Sequence, residues 1–262
     1  MKCWAATIGG CKKGSKEHLI PQSTFHDDAD YKPRVIKGYG LPWSEDKIIE
    51  IPFASLTTKI LCTYHNNVLS DLDREASRIA KTFLEIKNIF LRKSPRSNEE
   101  LVVFHHSGDL LERWFLKTFI NFQSLYNKDV LPPKELVEIV FGLRKYPDGV
   151  GLAVIGHKGG KYHSFDHDMK YVQILNNLNE IEFMVYEYFG ISYLLPLTDQ
   201  QMPKSLMHLD HNLKGYYPID QYVSKIQGAT VLVHPSKINF QFGNRQLIEI
   251  NFSWGSQVGQ PI

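Results

Sequence analysis

With 262 residues, 43% of them hydrophobic and 22% charged, the chain is long enough to bury one large core or two small ones, and too apolar to be disordered. A formal charge of +2 excludes a global pull towards nucleic acid, so any such surface must be a local patch. Three cysteines, Cys3, Cys11 and Cys62, are too few for a secreted disulfide framework and, beside conspicuous histidines, point instead to metal or catalysis.

In chain order, Met1-Lys2-Cys3-Trp4 puts no apolar run behind a basic start, so no secretory signal is expected. No stretch approaches the roughly 20 apolar residues of a membrane span, and the expected compartment is the cytoplasm. Residues 1–22 are Gly-rich and close on Glu17-His18-Leu19-Ile20-Pro21-Gln22; residues 23–47, with Pro33, Gly38, Gly40 and Pro42, read as a long loop. Ile48 to Phe53 and Leu56 to Leu61 suit strands. From Asp71 to Arg92, Ile79, Phe83, Ile86 and Phe90 recur at helical steps, with Ser70 as N-cap and Asp71, Asp73 and Glu75 in a first turn that favours acids.

Ser94-Pro95-Arg96-Ser97-Asn98 reads as a linker, dividing the chain into residues 1–95 and 96–262. A second helix is expected from Gly108 to Tyr126, with Leu111, Trp114, Phe115, Thr118 and Phe122 down one side, and Pro132-Pro133 opens a short third one. Beyond Gly149 come β-like runs at Gly151–Ile155, Tyr171–Leu175, Ile181–Tyr186, Ile191–Leu195, Ala229–Val233 and Leu247–Trp254. Their Gly- and Asn-containing turns argue for an antiparallel sheet on the helices, and the whole for an α+β protein.

Two segments carry chemistry. Ser15-Lys16-Glu17-His18-Leu19-Ile20-Pro21 sets a carboxylate beside an imidazole ahead of a stiff apolar-Pro turn, one group for a metal and the other for a water. Cys62-Thr63-Tyr64-His65-Asn66-Asn67 offers two soft ligands with two residues between them, then amides.

Together these resemble the HNH endonuclease family, whose ββα-metal module carries an acid-His-apolar-x-Pro motif and a later Cys-x2-Cys-Asn segment opening its helix. The resemblance covers residues 3–73. It implies that Glu17 binds a divalent ion, Mg²⁺ or Mn²⁺, that His18 activates water, and that Asn66, or alternatively Asn67, is a second ligand. A hard cation suits carboxylate and amide oxygens, and an imidazole with a pKa near ~6.5 takes a proton close to neutral pH. The resemblance also implies a structural zinc on Cys3, Cys11, Cys62 and His65, with seven residues between the first two ligands. Lys12, Lys13 and Lys16 lie directly before Glu17-His18 and are candidates for phosphate contacts.

The expected activity is hydrolysis of DNA, RNA not being excluded. The layout, a nuclease module joined to a second part that selects a target, a protein partner or another copy of the chain, is similar to that of bacterial restriction and anti-phage nucleases. Two other readings stand beside it: a non-catalytic zinc-stapled protein that docks DNA or a partner, and a nuclease gated by a ligand-sensing C-terminal part. Elsewhere the bland reading is preferred. Asp71 and Asp73 serve the helix start, and Trp114, Phe115, Phe119 and Phe122 form core, not a base-stacking platform. His105-His106, His163 with His167, and His208 with His211 are read as solvated or locally bonded histidines.

Overall fold

Helical periodicity builds the centre of the molecule. The computed structural model describes residues 3–21, 24, 35–38, 49–52, 56–91, 101–126, 130–156, 170–175, 181–188, 190–198, 213–215, 230–242 and 246–255. The chain begins with a 3-10 helix, Trp4–Ile8, and strand β1, Gly14–His18. Strands β2 (Val35–Gly38) and β3 (Ile49–Pro52) pair with each other, so the stretch read as a loop contains a strand. Strand β4 (Thr57–Cys62) runs into helix α1 (Thr63–Val68), and helix α2 (Ser70–Leu91) follows after Leu69. Ser70 is therefore the first residue of α2, one position past the cap expected of it.

Helix α2 buries Leu72, Ala76, Ile79, Ala80, Phe83 and Ile86 on one face. Helix α3 (Gly108–Tyr126) packs beside it and is buried nearly all round between Leu111 and Phe122, as befits a central helix. Short helix α4 (Lys134–Val140) has Pro133 at its N-cap and packs on both α3 and the N-terminal 3-10 helix. Each large apolar side chain removed from water here contributes roughly 1.5–3 kcal/mol before chain entropy is subtracted.

The remaining strands are β5 (Val102–Ser107), β6 (Ala153–Gly156), β7 (Lys170–Leu175), β8 (Ile181–Tyr188), β9 (Ile191–Pro196), β10 (Leu213–Gly215), β11 (Thr230–Val233), β12 (Lys237–Phe242) and β13 (Gln246–Ser253). Six form an antiparallel sheet in the order β10-β7-β8-β9-β6-β11. The others form a three-stranded sheet, β12-β13-β5, in which β13 and β5 are parallel. The architecture is α+β, with an antiparallel sheet where the sequence placed one. The parallel pair was not foreseen; β5 and β13 lie far apart in the chain and no local signal couples them.

One buried apolar cluster runs from Trp4 through α2 and α3 to Phe252, so residues on both sides of 95 share a core. The linker read at Ser94–Asn98 lies outside the described residues, as do His163, His167, His208 and His211. Among the described residues, no helix is long and apolar enough to cross a membrane.

Candidate metal centre and the adjoining ionic cluster

Strand β1 pairs antiparallel with β4, Gly14 opposite Cys62 and His18 opposite Thr57, with a bulge between Ser15 and Glu17. Because β4 leads straight into α1, this register brings the residues before β1 and those opening α1 to one corner. There Cys3, Cys11, Cys62 and His65 place their ligand atoms within 4.8 Å of one another. His65 Nδ1 lies 3.3 Å from Cys3 Sγ, 3.8 Å from Cys11 Sγ and 3.3 Å from Cys62 Sγ. A zinc tetrahedron with Zn–S near ~2.3 Å and Zn–N near ~2.05 Å sets nitrogen and sulfur about 3.6 Å apart, within that spread. The three thiols are free of disulfides. The donor set and its spacing fit a metal such as zinc.

Local structure explains the seven residues between Cys3 and Cys11. The 3-10 helix fills the interval, with Trp4 and Ala5 buried, and Gly9 and Gly10 then turn the chain back at φ +81° and +70°, a region glycine occupies without strain. A side chain on Gly10 would also press on the Tyr64 ring, 3.1 Å from the would-be Cβ. Burial pushes the Cys3 thiol up to about 12 and lowers the basicity of His65, which favours the neutral imidazole that a metal requires. At Cys62 burial acts upward, but hydrogen bonds from backbone groups, His65 first, bring it below its ordinary value. The His65 ring also rests edge-on against Phe141 beyond α4, at 5.3 Å, so this corner is seated on the helices of the second half.

Glu17 takes a partner the sequence did not name. Its carboxylate is buried, and Oε1 sits 2.7 Å from Lys117 Nζ on α3. The same Nζ reaches both oxygens of Asp73 on α2, at 2.9 and 2.8 Å. Burial raises the carboxyls of Glu17 and Asp73 against the pull of the ammonium; burial also acts to lower Lys117, but the two carboxylates outweigh it and raise it. Asp73 is thus an ion-pair partner more than a charge serving the helix start, whereas exposed Asp71 pairs with Arg74. His18, half-buried at the end of β1, is lowered by burial, so its neutral form is favoured.

No protein-family model, curated protein or solved structure matches this chain.

Of the other expected ligands, Asn66 donates its amide to Ser15 Oγ at 3.3 Å, and Asn67 is exposed. With Glu17 engaged by Lys117, the residues as they stand do not fit a divalent ion held by the Glu17 carboxylate. Lys12, Lys13 and Lys16 are all exposed, Lys12 lying 5.3 Å over the Tyr64 ring, and Lys12 and Lys59 line a cleft of about 340 Å³ beside Cys3, Cys11 and Cys62. His106 proves locally bonded: buried on β5, it lies 2.9 Å from Glu75 Oε1 and 2.9 Å from Thr82 Oγ1, while His105 is exposed. Trp114, Phe115, Phe119 and Phe122 are core.

Sequence reasoning missed Lys117 and Asn121, one helical turn apart on α3. Asn121 accepts from Trp4 Nε1 and donates to the Leu19 carbonyl, so this face of α3 grips both the N-terminal helix and the chain just past His18. A signal existed. In Trp114-Phe115-Leu116-Lys117-Thr118-Phe119-Ile120-Asn121-Phe122, a lone cation and a lone amide stand in an otherwise nearly apolar run. A buried lysine demands a buried acid.

Proposed function

We propose that the chain is an HNH-type phosphodiester hydrolase acting on DNA, stapled by one structural zinc on Cys3, Cys11, Cys62 and His65. The observation that carries this reading is the convergence of those four ligands on the strand pair that presents Glu17-His18. His18 is the general base. In its neutral form it removes a proton from a water, whose oxygen attacks phosphorus as the P–O bond to the leaving oxygen breaks; the leaving oxygen takes a proton from solvent, and the imidazolium gives its own back to solvent. Lys12, Lys13 and Lys16 supply the local positive patch for the flanking phosphates that the chain's small net charge does not provide. The test is plasmid cleavage by wild type and His18→Ala with Mg²⁺, Mn²⁺ or chelator. Loss of a general base is worth roughly 10²–10⁴ in rate, so His18→Ala should cut slower by that factor while binding DNA unchanged. Equal cleavage by the two proteins ends the assignment.

A second reading is favoured by one observation, the Glu17 carboxylate committed to Lys117. In that reading the zinc-stapled scaffold docks DNA without cutting it. The same assay separates the two: DNA retention with no cleavage by wild type under any metal supports docking.

A further inference from the structure

We infer that Lys117 is the resident cation of the Glu17–Asp73 cluster, so that Glu17 holds no divalent ion in this chain. The inference deepens the proposed reading of this corner but does not depend on cleavage.

Geometry carries it. An ammonium has three N–H donors, and Lys117 Nζ has three carboxylate oxygens at hydrogen-bond distance, one from Glu17 and two from Asp73. Its donors are all matched, and the side chain is 1% exposed. The three groups come from β1, α2 and α3, so the arrangement is set by the packing of the whole core and not by one loop. Asn121 fixes the register, binding the Leu19 carbonyl one turn along α3 while Lys117 takes the side chain of Glu17.

A divalent ion of the magnesium type needs several oxygen ligands at about 2.0–2.1 Å and keeps part of its water shell. The space in front of Glu17 Oε1 and both Asp73 oxygens already holds a charged nitrogen, shut away from solvent. A second cation placed there would face that nitrogen across a low-dielectric gap. The carboxylate that a metal-bound nuclease would keep open to solvent is here turned inward, anchoring the strand that ends in His18. Lys117 is therefore a positioning residue: it anchors β1, which ends in His18, and its charge also acts on His18 directly, adding to the burial that favours the neutral imidazole.

The readout is Mn²⁺ binding to the full-length, zinc-loaded chain, followed by the spectrum of free Mn²⁺ during titration. Wild type and Glu17→Gln should match, whether both bind Mn²⁺ elsewhere or neither does. Lys117→Met leaves two facing carboxylates without a cation and should gain a Mn²⁺ site, lost again in the Glu17→Gln/Lys117→Met double variant. The inference is overturned if Glu17→Gln weakens wild-type Mn²⁺ binding by about tenfold or more, the effect expected for disturbing a metal's coordination. A folded Lys117→Met that acquires no Mn²⁺ site also overturns it. Should Lys117→Met fail to fold, as circular dichroism would show, the wild-type and Glu17→Gln pair decides alone. Plasmid cleavage by His18→Ala bears on the proposed activity and leaves this result unaffected.

Discussion

Two clusters flank the β1–β4 pair, and they are assembled by opposite rules. At one corner, three thiols and an imidazole gather with no charged side chain among them; at the other, a buried lysine sits between the buried carboxylate of Glu17 and the half-buried one of Asp73. The first is a ligand set that needs a cation from outside. The second has its cation built in. A site is therefore not defined by its acids alone: the same Glu-His dipeptide means different chemistry according to what a distant helix delivers to it.

The largest effect should come from breaking the thiolate corner. Structural zinc in small modules contributes about 10–16 kcal/mol of binding energy to folding. Cys62→Ser, or prolonged chelation of wild type, should therefore unfold residues near the N-terminus, seen as loss of amide-exchange protection in β1, β4 and α1. Retained protection in those strands would mean that apolar contacts alone hold the corner.

Next in size is Lys117→Met. Removing one partner of a buried ion pair costs about 3–5 kcal/mol, because the remaining charge is buried alone. The double variant Glu17→Gln/Lys117→Met should be less destabilised than Lys117→Met, since it lowers the number of uncompensated carboxylates. Urea midpoints of wild type, the two single variants and the double variant measure this; a double-variant loss equal to the sum of the single losses would show that Glu17 and Lys117 are not coupled.

A smaller effect separates the ionic cluster from the buried acid on the far side of α2. Burial acts to raise Glu75, but bonds from His106 and the Ser107 amide, with the His106 and Arg78 charges, bring it below its ordinary 4.5. A depressed carboxyl contributes stability that is present above the unfolded value and lost as pH falls through the folded one. Glu17 is raised by burial, so its sign is reversed: its cost appears as pH rises through its folded value and is relieved in acid. Acidification below about pH 4.5 should thus lower the urea midpoint less steeply in Glu75→Gln than in wild type, whereas acidification towards pH 4.5 from above should lower it more steeply in Glu17→Gln than in wild type. Parallel pH profiles for the two variants would remove the distinction.

How much of this was legible depended on chemical rarity and on pattern. Cysteine occurs three times, so gathering all three with one histidine was a short search, whereas Lys117 is one of 30 basic residues and lies 100 positions from Glu17. Helices α2 and α3 and the strands β6 to β9, β11 and β13 announced themselves by period or by apolar runs. Strand β1 did not, because Gly14-Ser15-Lys16-Glu17-His18 is polar and its one fully buried side chain is an acid. Strand β5, at a sheet edge, ends in His105-His106-Ser107, and its pairing with β13 spans most of the chain. Strand β12 is different: Ile238 and Phe240 are buried and alternate with exposed Lys237 and Asn239, a period-two signal that was there to be read.

The proposed zinc on Cys3, Cys11, Cys62 and His65 would tie the N-terminus to the start of α1. Zinc-edge X-ray absorption on the purified chain, with elemental analysis of the same sample, tests it most directly. About one zinc per chain is expected, with three sulfurs near ~2.3 Å and one nitrogen near ~2.0 Å. A folded chain carrying no zinc, or zinc bound through oxygen ligands, would contradict it.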